Sequence, residues 1–157
     1  MIWNPRSGGY SRLEAMMPRI SDQFKDCVVY LYKDEASAKA GTNGGGSGFL
    51  VSVPTSRPGR FFTYVVTNRH VIDGGYTTLR INVENGIGHG EVGPSEWSRA
   101  PESDIAAALV SAPDIPTLKR VPIAMLITRE IVENRRVGIG DDVFLVGRLI
   151  DHQGKQQ

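Results

Sequence analysis

The chain has 157 residues, 40% of them apolar and 22% charged, with a formal net charge of +1 at pH 7. That length holds one to one and a half domains and can bury a core without covalent staples. A charge so near zero, with no Lys/Arg block, excludes the electrostatic footprint of a nucleic-acid or anionic-membrane binder. The single cysteine, Cys27, excludes an internal disulfide, and the longest clear apolar run, 105–110, is far too short to span a bilayer. The opening MIWNPRSGGY has no basic segment followed by an apolar one, and there is no Asn-x-Ser/Thr sequon. A cytoplasmic protein is the expectation.

Residues 1–25 read as an N-terminal extension, in which 11–17 suit a short helix that Pro18 interrupts. From Asp26 the pattern turns to strands. Residues 27–32 are β-branched, aliphatic and aromatic; 34–46 read as a loop ending in Gly44-Gly-Gly46; 48–53 form the next strand, 54–60 a turn, and 61–67 a third strand. The stretch 69–75 holds one helical turn at most before Gly74-Gly75. Residues 77–84 alternate through Leu79, Ile81 and Val83. Asn85-Gly86 is a two-residue hairpin signal, and 87–92 form the return strand. A buried strand is expected at 104–110. Residues 113–138 contain three prolines and a candidate helix at 127–135, and read as a connector. A new strand begins at 142–150. Short strands at regular spacing predict an all-β barrel or sandwich.

Three features stand in order: Gly46-Ser-Gly-Phe-Leu-Val51, Thr67-Asn-Arg-His-Val71 and Ser103-Asp-Ile-Ala-Ala107. His70 and Asp104 each sit where a strand meets a loop, a placement that fixes the backbone and leaves the side chain reachable. A fourth feature is Gly140-Asp-Asp-Val-Phe-Leu-Val-Gly147. Together these resemble the chymotrypsin/trypsin-like serine peptidases, most of all the disulfide-free bacterial type, over roughly 26–150. The resemblance implies a chymotrypsin-like six-stranded first barrel over 26–112, carrying His70 and Asp104. It further implies an inter-barrel connector at 113–138, and the first strand of an incomplete second barrel at 139–157. It makes His70 the general base and Asp104 the residue that orients it.

The family's nucleophile lies in a Gly-x-Ser-Gly motif of the second barrel. The only serine after Asp104 is Ser111, which lacks that glycine context, so the chain carries no nucleophile of its own. Loss of the serine alone costs on the order of 10⁶ in turnover. The expectation is therefore a chain inactive alone, from a longer peptidase that cleaves a polypeptide substrate. Its missing second barrel would be its packing partner, and no cofactor, metal, nucleic acid or membrane is implied. The strand at 142–150, apolar and without a sheet to join, is an association hazard. The alternatives are a pseudopeptidase barrel kept as a protein-binding module, and an unrelated small β-barrel. Met1-Ile-Trp-Asn-Pro differs from the family's Ile-Val-Gly-Gly-type mature end, so activation by N-terminal cleavage is not expected.

Other residues have blander readings. Ser47 precedes the histidine and belongs to a first-barrel strand. The glycine loop lacks the lysine of a phosphate loop. A zinc site from His70, His89 and Asp104 has no close ligand pair. His89 reads as a solvated hairpin residue, His152 as part of a polar tail, and Cys27 as a small buried hydrophobe.

Overall fold

The β-branched and aromatic stretches become strands: β1 (Val28–Tyr32), β2 (Gly46–Pro54), β3 (Phe61–Thr67), β4 (Thr78–Val83), β5 (Gly86–Glu91), β6 (Ser98–Arg99), β7 (Ala106–Leu109) and β8 (Val121–Pro122). These come from a computed structural model that describes residues 24, 26–83, 86–111 and 118–141. The expected helix at 11–17, Asn85 of the hairpin turn, the strand at 142–150 and His152 lie outside the described residues.

The strands form one sheet in the order β5-β4-β1-β2-β3-β7-β6, with β8 joined to β2. The fold is all-β, with few and short helices. Every pairing is antiparallel except β2 with β8. Six of the eight strands correspond to the six expected within 26–112; β6 and β8 are additions of two residues each. The place of β8 follows from the length of β2. Along one edge β2 pairs with β3 from Gly48 to Pro54; along the other, β1 reaches only as far as Phe49. Val121 and Pro122 take up the edge that β1 leaves, opposite Val51 and Ser52. The proline is tolerated there because β8 has a neighbour on one side only.

Alternation along the strands sends Val29, Leu31, Leu50, Val65, Leu79, Ala106 and Ala108 into one core. Val71, Ile72, Val92, Trp97 and Leu118 join them from outside the strands. Burying each of the larger side chains stabilises by about 1.5–3 kcal/mol. The strand expected to be buried throughout at 104–110 is shorter, and it alternates. Ala106 and Ala108 face the core, while Ile105 and Leu109 are 51% and 48% exposed. One face of this antiparallel strand is solvated, and Leu109 stands on it opposite Tyr64.

The expected loop at 34–46 contains a helix, α1 (Glu35–Ala40). Asp34 caps it by accepting the Ser37 amide, Glu35 and Lys39 pair along one face, and Gly41 closes it in the left-handed region at φ 72°. The buried Arg80 of β4 donates through Nη1 to the Ala38 and Lys39 carbonyls, meeting the negative end of this helix. Beyond the sheet, the expected helix at 127–135 forms as α3 (Arg129–Arg135), with Thr128 accepting the Ile131 amide. Among the described residues no helix is long and apolar enough to cross a membrane.

Candidate active site

The Thr67-Asn-Arg-His-Val71 segment runs from the end of β3 into a five-residue helix, α2 (Arg69–Asp73), stopped by Gly74. Thr67 anchors the end of the strand, its hydroxyl donating to the Ser47 carbonyl at 2.9 Å. The glycines of 45–48 let this segment come close. A Cβ on Gly45 would lie 2.1 Å from the Tyr76 ring, and one on Gly46 would lie 2.7 Å from Val71 Cγ2. The glycine-rich stretch therefore serves packing under α2. Ser47 itself lies within β2, opposite Tyr30 of β1.

The pairing of β3 with β7 determines what faces the helix. Thr67 stands opposite Ala106. Two further steps of the same register set residue 69 against residue 104, and the Arg69 amide donates to the Asp104 carbonyl at 3.2 Å. The Asp104 side chain then reaches the next residue. Oδ1 accepts the His70 backbone N–H at 2.9 Å, and Oδ2 lies 2.6 Å from His70 Nδ1. The first amides of a helix have no intrahelical acceptor; Asp104 satisfies two of them, one with its carbonyl and one with its carboxylate.

A carboxylate can only accept, so Nδ1 of His70 carries the proton and the Nε2 lone pair is left as the basic site. The two side chains are 71% and 50% exposed, so that site opens to solvent. Asp104 is held below the ordinary carboxylate value. The His70 backbone hydrogen bond is the largest cause and the ring hydrogen bond the next, partly opposed by desolvation, with smaller help from the charge on His70 and from Asn68. Asn68 donates through Nδ2 to Asp104 Oδ2 at 3.1 Å and to the Asp104 carbonyl at 3.3 Å.

The far end of α2 is tied as well. Asp73 accepts from Arg69 Nε at 3.3 Å and from Arg99 Nε at 3.1 Å, and Arg99 Nη1 donates to the Trp97 and Pro94 carbonyls. These bonds hold Asp73 below its usual value, the one from Arg99 foremost. The helix bearing His70 is thus held at both ends.

The other candidates stand elsewhere. His89 lies on β5 with Nε2 2.9 Å from Glu35 Oε1 and its side chain 30% exposed. It is exposed, as expected of a hairpin residue, and in addition bridges to Glu35 of α1. Ser111 is exposed. It follows Val110, whose amide bonds Thr63, and so emerges at the opposite end of β3 from His70. Cys27 is buried, and burial, aided by Asp26, pushes its thiol up. Among the described residues no three His, Cys, Asp or Glu side chains gather as metal ligands do.

Sequence reasoning did not single out Asn68 or the Asp73–Arg99 pair. Asn68 lay inside a motif already noted, and an asparagine directly before a helical turn is a capping signal. Its partner, however, is 36 positions away. No family model, curated protein or solved structure matches this chain.

Proposed function

We propose that the chain is the His- and Asp-bearing part of a trypsin-like serine endopeptidase, with the nucleophilic serine supplied from outside these 157 residues. The observation that carries this reading is the His70–Asp104 pair. An imidazole is fixed in one tautomer by a 2.6 Å contact to a carboxylate, and its Nε2 is presented on an exposed side chain. Asp104 is itself held by the backbone next to the base it orients. The order of the motifs supports the reading too.

The finer architecture belongs to the same proposal. The two ends of the strand path, β5 and β6, are consecutive in the chain and joined only by 92–97. Leu79 of β4 and the alanines of β7 stand near opposite ends of that path, yet they pack in one cluster. A sheet curled on itself into a chymotrypsin-like barrel accounts for both.

In this mechanism Nε2 of His70 removes the serine Oγ proton as Oγ bonds to the scissile carbonyl carbon. Asp104 stabilises the imidazolium so formed. The imidazolium then protonates the leaving amine as the C–N bond breaks. Water repeats the sequence on the acyl-enzyme, its proton passing to Nε2 and then to the departing serine oxygen.

A fluorophosphonate probe on the full-length gene product tests the reading. Covalent labelling of a serine is expected, lost in His70→Ala and slowed about 10⁴-fold in Asp104→Asn, as the same change does in the peptidase triad. An unlabelled wild-type protein, or a reading frame without a Gly-x-Ser-Gly motif, would sink it and leave the protein-binding module as the better account.

A further inference from the structure

Asn68 occupies the N-cap of α2 in extended geometry (φ −74°, ψ 140°), yet its side chain makes no capping bond to that helix. An N-cap asparagine ordinarily accepts the amide two or three residues on. Here the amide two residues on, that of His70, is taken by Asp104 Oδ1. The Asn68 amide group turns away from its own helix and gives Nδ2 to Asp104, once to Oδ2 and once to the backbone carbonyl. The amide nitrogen must face the carboxylate, since the amide oxygen there would set acceptor against acceptor.

From this geometry we infer that Asn68 is a positioning residue of the proposed peptidase: its side-chain N–H fixes the Asp104 carboxylate in the rotamer that meets the His70 ring. The inference rests on the peptidase reading. Oδ2 is the oxygen that His70 Nδ1 uses, so Asn68 and the ring share one acceptor from two directions. Without the amide, the carboxylate keeps its bond to the His70 backbone through Oδ1, but it can turn about that bond and carry Oδ2 off the ring. The arrangement closes the His–Asp pair within one segment and one strand end. The other charged neighbour in the segment, Arg69, does not compete, because its Nε is engaged by Asp73.

Asn68→Asp is the informative change. Aspartate has nearly the same shape and caps a helix as well as asparagine does, so a purely structural role predicts no loss. As a positioning residue it swaps a donor for a second negative charge facing Asp104. Two measurements read this out: the hydrogen-bonded Nδ1 proton signal of the His70 ring by NMR in this chain, and the rate of fluorophosphonate labelling in the full-length protein.

With an unchanged melting temperature, Asn68→Asp is expected to lose the hydrogen-bonded Nδ1 proton signal of the His70 ring, and labelling at pH 7 should slow about tenfold or more. Asn68→Ala should do the same to a lesser degree, since it removes the donor without adding charge. If the wild type is labelled and neither variant changes the Nδ1 signal or the labelling rate, the inference is overturned while the peptidase reading stands. If the wild type is not labelled, the peptidase reading falls, and the catalytic meaning of Asn68 with it, whatever the Nδ1 signal shows.

Discussion

Gly46→Ala tests whether the glycine stretch exists to seat the helix that carries His70. The added Cβ would lie 2.7 Å from Val71 Cγ2 and 3.0 Å from Cγ1. Apolar carbons rest at about 3.5–4.0 Å, so one partner must retreat by about 1 Å. Val71 is buried in the core, and a helical valine has essentially one χ1 rotamer, so the displacement falls on α2 itself. Overpacking of this kind costs about 1–3 kcal/mol. Alanine also restricts the unfolded chain more than glycine does, which returns roughly 0.5–1 kcal/mol and would blur a single measurement.

A double-mutant cycle with Val71→Ala removes that ambiguity, because the backbone gain appears on both sides of the cycle and cancels. Deleting the two γ-methyls makes room for the new Cβ. The double variant should therefore be more stable than the sum of the single changes predicts, by about 1 kcal/mol or more. Urea unfolding of the four proteins supplies the numbers, and the hydrogen-bonded Nδ1 proton of His70 in NMR spectra reports whether the pair has opened in Gly46→Ala alone. Additivity within about 0.5 kcal/mol would refute the argument.

Acid should weaken the link between β7 and α2. The Asp104 carboxyl is held low in the folded chain, so its stabilising contribution is complete above the unfolded value of about 4 and disappears as pH falls through the lower folded value. The urea midpoints of wild type and Asp104→Asn should accordingly differ at pH 7 and converge on acidification; a gap that persists at low pH would count against this. Leu31→Ala and Leu50→Ala, each truncating a fully buried side chain, should each cost about 2–5 kcal/mol by urea unfolding, and a loss under 1 kcal/mol would mean that the core is not centred there. Cys27, buried and pushed up in pKa, should resist iodoacetamide at pH 8 in the native chain and react once urea unfolds it. Equal rates in both states would contradict its burial.

Much of the sheet was legible because its information is local. Phe61–Thr67 is rich in β-branched and aromatic residues, so the strand falls where its text says. α1 is equally local: Asp34, Ser37, the alanines of 35–40 and Gly41 form a complete set of cap, propensity and stop, but six residues are too few to show a helical period beside the glycines of 41–46. β8 is a different case. Two residues carry no periodicity, and Val121 pairs only because β1 ends early along β2. The same division holds at the site. His70 and Asp104 stand out by their flanking motifs, whereas their contact depends on the β3–β7 register, which no short stretch of sequence contains. Asn68 was hidden for that reason: its role is defined by a carboxylate that only the sheet brings near.

The bonds around Asp104 have an unequal consequence for how such a chain can drift. The aspartate closes the start of α2 and ties β7 to it through backbone amides, so folding alone is enough to keep it. The imidazole of His70 is largely exposed and contributes little to the core. A lineage relieved of chemistry would be free to exchange the histidine while retaining the aspartate. Among descendants of this chain, the fate of position 70, rather than that of position 104, would record whether the proposed chemistry is still in use.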